Sequence, residues 1–278
     1  MKVRFMVLVL ALLPIAATAD GRAAQERALT NEFRVHPGFA SEFVSNARDI
    51  IVWLPPGYGS DVANWYPVLY MQDGANAFVS WRIDETAKAL IASGEIEPLI
   101  IVLIPTGGTP EDRFDEYTPT RPSNARAGGK ADFYGRMLVE ELKPFIDSKY
   151  RTLEDAANTA LGGASLGGLV SLYLGLTHPT VFGKLAVISP SVWWDDRVIL
   201  QNVRAVEPRP AMRIWLDIGT GEPGTSLRDA RQLRDALVRK GWKLDSDLMY
   251  FEADGGTHDE ASFARRAESM LKYLFPPR

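Results

Sequence analysis

Short, uninterrupted apolar runs separated by stretches of helical spacing constrain this chain more than any other feature. The runs cover residues 50–54, 68–71, 99–104, 185–188 and 214–218, and 248–253 reads as one further strand. Each of the first five is too short to be a helix and too uniformly apolar to have a wet face, so each reads as a strand buried on both sides. Between them, residues 84–93, 132–149, 166–177, 227–240 and 260–274 carry helical periodicity, and Gly241 stands where the fourth of these helices needs a C-cap. Parallel strands need crossovers of about a dozen residues or more, which these helices supply. The expected fold is therefore α/β, a mostly parallel sheet with helices on both faces. Residues 106–130, rich in Gly, Pro, Arg and Asp, form the longest stretch without periodicity and read as an insertion over one end of the sheet.

Composition narrows the chemistry. The chain has no cysteine, which excludes disulfides, thiolate nucleophiles and sulfur-based metal sites. Its histidines are His36, His178 and His258, too few and too scattered to suggest a metal centre, so no metal and no cofactor is expected. A net charge of −4 argues against a nucleic-acid footprint. Lys2 and Arg4, the apolar run 5–17 and Ala17-Thr18-Ala19 have the three parts of an export signal. The run is shorter than the ~18 apolar residues a membrane span requires. These features predict a signal peptide over 1–19 and a single exported domain, periplasmic or secreted, over 20–278, with no membrane span.

Gly162-Gly163-Ala164-Ser165-Leu166-Gly167-Gly168 contains Gly-x-Ser-x-Gly between a predicted strand and a predicted helix. A serine raised on so tight a turn requires residues without Cβ two places before and after it, because strand and helix backbones nearly touch there. Gly163 and Gly167 satisfy this, and Ser165 is the candidate nucleophile. A phosphate-binding glycine loop would need Lys followed by Ser or Thr, which do not follow Gly167.

A serine hydroxyl needs a base and, in this arrangement, acid and histidine follow it along the chain. His36 precedes Ser165, and His178 ends the same helix. His258, in the glycine-rich turn Asp254-Gly255-Gly256-Thr257-His258-Asp259 after a strand, is the candidate base. For the acid, Trp215-Leu216-Asp217-Ile218-Gly219-Thr220-Gly221-Glu222 offers two carboxylates. Glu222 is favoured because it follows the turn at the strand end. Asp217, inside the apolar run, stays open as the alternative and is expected to bond loop backbone. The oxyanion formed on attack needs two N–H donors, expected from Leu166 and, beyond Tyr70-Met71-Gln72-Asp73-Gly74, from Ala75.

With these pieces in order, the sequence resembles an esterase family of α/β-hydrolases that includes esterase D, feruloyl and acetylxylan esterases, enterochelin-type siderophore esterases and mycolyltransferases. The resemblance runs from about Ile50 to the last helix. It is carried by Val52-Trp53-Leu54-Pro55-Pro56-Gly57-Tyr58, the 69–74 segment, the serine turn, Ser189-Pro190-Ser191-Val192-Trp193-Trp194, Gly219-Thr220-Gly221-Glu222 and Gly256-Thr257-His258-Asp259. It implies an α/β-hydrolase fold and a Ser165, Glu222, His258 triad hydrolysing a small-molecule carboxylic ester through an acyl-enzyme. A siderophore esterase, an acyltransferase on the same scaffold and a catalytically silent binding protein are the alternatives. By position, Trp81, Tyr117, Trp193 and Trp194 are candidate substrate contacts, with one of the adjacent tryptophans expected in the core. Arg113 and Glu116 lie in the long insertion and are substrate-facing by position; for Arg113 and Arg121, solvated loop charge competes with anion recognition as the role.

Overall fold

The computed structural model describes residues 32–277, so the export signal expected over 1–19 lies outside the described residues. Eight strands, β1 (Phe33–Phe39), β2 (Arg48–Trp53), β3 (Val68–Gln72), β4 (Ile100–Ile104), β5 (Thr159–Ala164), β6 (Lys184–Ile188), β7 (Arg213–Gly219) and β8 (Leu248–Ala253), form one sheet. Their order is β1-β2-β4-β3-β5-β6-β7-β8, antiparallel from β1 through β4 and parallel from β4 onward.

Side chains alternate across a strand, and the two cores follow from that. In β4, Ile100, Val102 and Ile104 enter one core while Ile101 and Leu103 enter the other. The first core is covered by α4 (Ala131–Arg136), α5 (Lys143–Lys149), α6 (Leu166–Thr177), α7 (Trp194–Ala205) and α8 (Ser226–Lys240). The second is covered by α1 (Gly74–Val79), α2 (Ile83–Ala92) and α9 (Glu260–Leu274). Helices thus lie on both faces, the α/β-hydrolase arrangement. Among the described residues no helix is long and apolar enough to cross a membrane.

Four departures from the sequence reading have physical causes. Strand β1 was not expected, because it is a half-exposed edge strand containing Pro37 and Gly38, with its register broken between His36 and Phe39. The helix expected over 132–149 is interrupted by a π-helical stretch, Met137–Leu142. Pro144 lies two residues past its end; lacking an N–H, it cannot continue the α ladder. The 106–130 insertion holds a helix, α3 (Pro110–Tyr117), started by a capping box in which the Thr109 hydroxyl accepts the Asp112 N–H and Asp112 accepts the Thr109 N–H. Helix α7 begins at Trp194 and passes through three consecutive left-handed residues, Asp195, Asp196 and Arg197, which apolar periodicity does not register.

Candidate active site

The sheet delivers the candidate residues to one edge. Strand β5 ends in Ala164, and Ser165 follows with φ 60° and ψ −122°, a conformation that residues bearing a Cβ avoid. A Cβ on Gly163 would lie 3.0 Å from the carbonyl carbon of Gly167 and 2.8 Å from Gln72 Cβ. The strand and helix backbones do approach as the motif requires. The Ser165 hydroxyl is within hydrogen-bond distance of Ser191 Oγ, at 3.2 Å.

Beyond β7, the turn Gly219 to Gly221 packs backbone to backbone against the turn that carries His258. A Cβ on Gly219 would sit 2.2 Å from the Gly256 carbonyl oxygen, and the Gly221 N–H donates to that oxygen at 2.8 Å. This close approach brings Glu222 to His258, with Glu222 Oε2 to Nδ1 at 2.7 Å. Glu222 Oε1 accepts from the Ser189 hydroxyl and from the Gly219 N–H at 3.2 Å. Burial alone would raise the Glu222 pKa, but hydrogen bonds from His258, Ser189 and Gly219 outweigh it and hold the carboxyl below its usual range. The imidazole stands edge-on to Phe263, ring centres 5.2 Å apart.

Asp217 is fully buried. It accepts from Arg266 Nη1 at 2.6 Å, the Trp215 indole at 2.7 Å and the Ser189 N–H at 3.2 Å. Desolvation pushes its pKa up to about 6 despite the guanidinium beside it. The expected backbone contact is present, but the principal partners are side chains, and none is His258. Arg266 was missed, although it interrupts the apolar stripe Phe263, Ala267, Met270, Leu271, Leu274 of the last helix, a detectable signal.

Ser165 and His258 line one cleft of about 550 Å³ together with Ala75, Trp81 and Phe263. Ala75 lies in the first turn of α1 and Leu166 in the first turn of α6, where backbone N–H groups have no intrahelical acceptor. Trp81 is largely buried, its indole donating to Glu260, while Glu260 also accepts from Asn76 Nδ2 at 3.0 Å. Arg113 reaches the cleft wall as half of a two-pronged pair with Asp73, both contacts at 2.8 Å.

Three expected substrate contacts lie elsewhere. Tyr117 is fully buried and its hydroxyl accepts the Asp73 N–H at 3.0 Å, so it supports the loop before α1 instead of facing a ligand. Trp194 is 5% exposed and donates to the Thr120 carbonyl at 3.0 Å, which makes it the core member of its pair. Trp193 is 52% exposed on a separate open depression beside Asn124 and Asp195. Glu116 is buried in a double hydrogen bond with Arg48 (2.9 and 2.6 Å). Arg121 donates to the Ala125 carbonyl at 3.2 Å. His36 pairs with the Tyr150 hydroxyl at 2.7 Å, and His178 caps α6. Among the described residues no cluster of three or more His, Cys, Asp or Glu could hold a metal.

A mostly parallel sheet carrying a serine on a strained strand-to-helix turn, with a carboxylate-bound histidine at the same edge, has the fold of an α/β-hydrolase. The family model described as "Putative esterase" matches residues 41–274, and the chain belongs to that family. It is 28% identical over 247 residues to the endo-1,4-beta-xylanase/feruloyl esterase of Xylanibacter ruminicola, covering 85% of this chain and 30% of that protein. It is also 28% identical over 226 residues to the iron(III) enterobactin esterase of Escherichia coli, covering 79% of this chain and 51% of that one. Among solved structures, the BES protein from Bacillus cereus shares the fold with a TM-score of 0.74 at 22% identity, over 89% of this chain and 96% of that one.

Proposed function

We propose that this protein is a serine carboxylic-ester hydrolase in which Ser165, His258 and Glu222 act as nucleophile, general base and orienting acid. The observation that carries the reading is the 2.7 Å contact between Glu222 and His258 Nδ1, in a cleft that Ser165 also lines. With Nδ1–H held by the carboxylate, Nε2 is the nitrogen left to accept a proton. The Ser165 hydroxyl turns from Ser191 toward Nε2 as substrate enters, and attacks the ester carbonyl. The N–H groups of Ala75 and Leu166 receive the oxyanion, and His258 returns the proton to the departing alcohol. Water, activated by the same imidazole, then frees the acid.

The residue 1–19 pattern supports export of this activity, with residues 20–278 acting as one domain. Feruloyl and enterobactin-type esters, named for the relatives, form the first substrate panel. A fluorophosphonate probe should label the purified protein on Ser165, located by peptide mass mapping, and labelling should vanish in Ser165→Ala. An unlabelled, folded wild-type protein would favour the catalytically silent alternative.

A further inference from the structure

Glu222 turns Oε2 to His258 and Oε1 to a buried run of polar groups that the hydrolytic scheme leaves unused. Ser189 donates its hydroxyl to Glu222 Oε1 and accepts from Arg266 Nη1 at 3.0 Å. The same Nη1 donates to Asp217 Oδ1 at 2.6 Å, and Arg266 Nε donates to the Ser262 carbonyl at 3.1 Å. Arg266 Nη2 has no hydrogen-bond partner and lies 4.0 Å from Glu222 Oε1. The guanidinium stands 5.2 Å from the Phe263 ring and is 3% exposed. Ser189 itself has φ +40°, so its hydroxyl is aimed by a backbone conformation that a Cβ-bearing residue adopts only under constraint.

The charges make sense together. Asp217 and Glu222 are two buried carboxylates served by one buried guanidinium. With His258 neutral the group carries one net negative charge, and with His258 protonated it is balanced. A buried ion pair is a poor source of stability compared with apolar packing, but removing one partner is costly. What this cluster does supply is a fixed direction. Because Arg266 Nη1 donates both to the Ser189 oxygen and to Asp217, the Ser189 O–H has Glu222 as its acceptor, and Glu222 keeps its charge for the imidazolium that forms during attack.

Resting on the hydrolytic reading above, we propose that Arg266 and Ser189 are positioning residues: Ser189 keeps Glu222 aimed at His258, and Arg266, besides pairing with Asp217, directs the Ser189 hydroxyl to Glu222. They touch no substrate. Their effect reaches the reaction through Glu222 alone.

The test combines Ser189→Ala, Arg266→Met and the double variant Arg266→Met/Asp217→Asn, which leaves no lone buried carboxylate at residue 217. Ser189→Ala should lower kcat about tenfold with KM within twofold, move the acidic limb of the kcat/KM pH profile, and shift the far-downfield proton resonance of His258 Nδ1–H upfield. Arg266→Met should lose both stability and kcat. The double variant should recover melting temperature while kcat stays at least tenfold down, because the Ser189 hydroxyl is then free to turn to residue 217. Recovery of both Tm and kcat in the double variant, or an unmoved profile and resonance in Ser189→Ala, would overturn the proposal. Hydrolysis surviving Ser165→Ala would instead bring down the catalytic reading itself, so the two failures are separable.

Discussion

At the scale of single residues, two carboxylates five positions apart have opposite electrostatic fates. Glu222 faces His258 and collects hydrogen bonds, whereas Asp217 is sealed behind Arg266. Glu222→Gln should therefore cost roughly 10² to 10⁴ in kcat, with a small change in Tm. Asp217→Asn should act first on stability, since its partners are the buried Arg266 and the Trp215 indole. Equal kcat losses in the two variants would contradict this division. Ser165→Ala should lower kcat by a factor of at least ~10³ while leaving the melting temperature within a few degrees.

The same pair predicts a pH signature in stability. Glu222 has a lowered pKa in the fold, so its contribution is present above the unfolded value of about 4.3 and lost as pH falls through the folded value. Asp217 is raised to about 6, so between an unfolded value of about 3.9 and that point the fold retains a proton the unfolded chain releases. Its titration costs stability as pH rises through that window. Compared with Asp217→Asn, the wild type should gain in Tm as pH drops from 7 toward 4, read by calorimetry on both proteins. A gap that moves the other way would mean that the Arg266 pairing outweighs desolvation at Asp217.

At the scale of elements, the site depends on two turns that can touch only because both lack side chains. Gly219→Ala would put a Cβ 2.2 Å from the Gly256 carbonyl oxygen and force the Glu222 turn away from the His258 turn. The expected result is a loss of about 1–3 kcal/mol, seen as a Tm drop of several degrees, together with a fall in kcat. Gly221→Ala, whose Cβ would meet the same oxygen at 3.1 Å, should be milder on both counts. A Gly219→Ala protein with wild-type kcat would show that the separation of the turns does not matter.

These elements also show what sequence could and could not reveal. Strands buried on both sides leave uninterrupted apolar runs, so β3, β4, β6 and β7 could be read within a residue or so; β8, an edge strand with Leu248 its one buried residue, was legible from its apolar start alone. Strand β1 is half wet, and six-residue α1 is too short for periodicity to register. The Thr109 to Asp112 capping box did announce α3, but composition made its surroundings read as loop. Tyr117 and Glu116 were misjudged for the same reason. Once the segment folds as a helix, its inner face is buried against Asp73 and Arg48.

At the scale of the whole molecule, charge bears on which esters can be used. The chain carries a net −4, and the cleft is lined by the acidic Asp73, Asp259 and Glu260 with Arg113 the basic side chain on its wall. Arg113 is already paired with Asp73 through two 2.8 Å contacts, so it offers little uncommitted charge to an incoming anion. Asp259 and Glu260 also line the cleft, and the groups seen donating to them, Thr257 and the Ser262 N–H for the first and Asn76 and Trp81 for the second, are uncharged. At separations of several ångströms beside water, such charges change binding by factors of a few, and salt screens them. Among isosteric esters differing only in the charge of the alcohol portion, kcat/KM should rank cationic above neutral above anionic. Each step should be about three- to tenfold at low ionic strength and should narrow as salt is raised. Glu260→Gln should compress the same ranking. Hydrolysis that favours the anionic ester, with a preference that weakens on adding salt, would show that Arg113 leaves Asp73 to meet its substrate and would return anionic siderophore esters to the head of the panel.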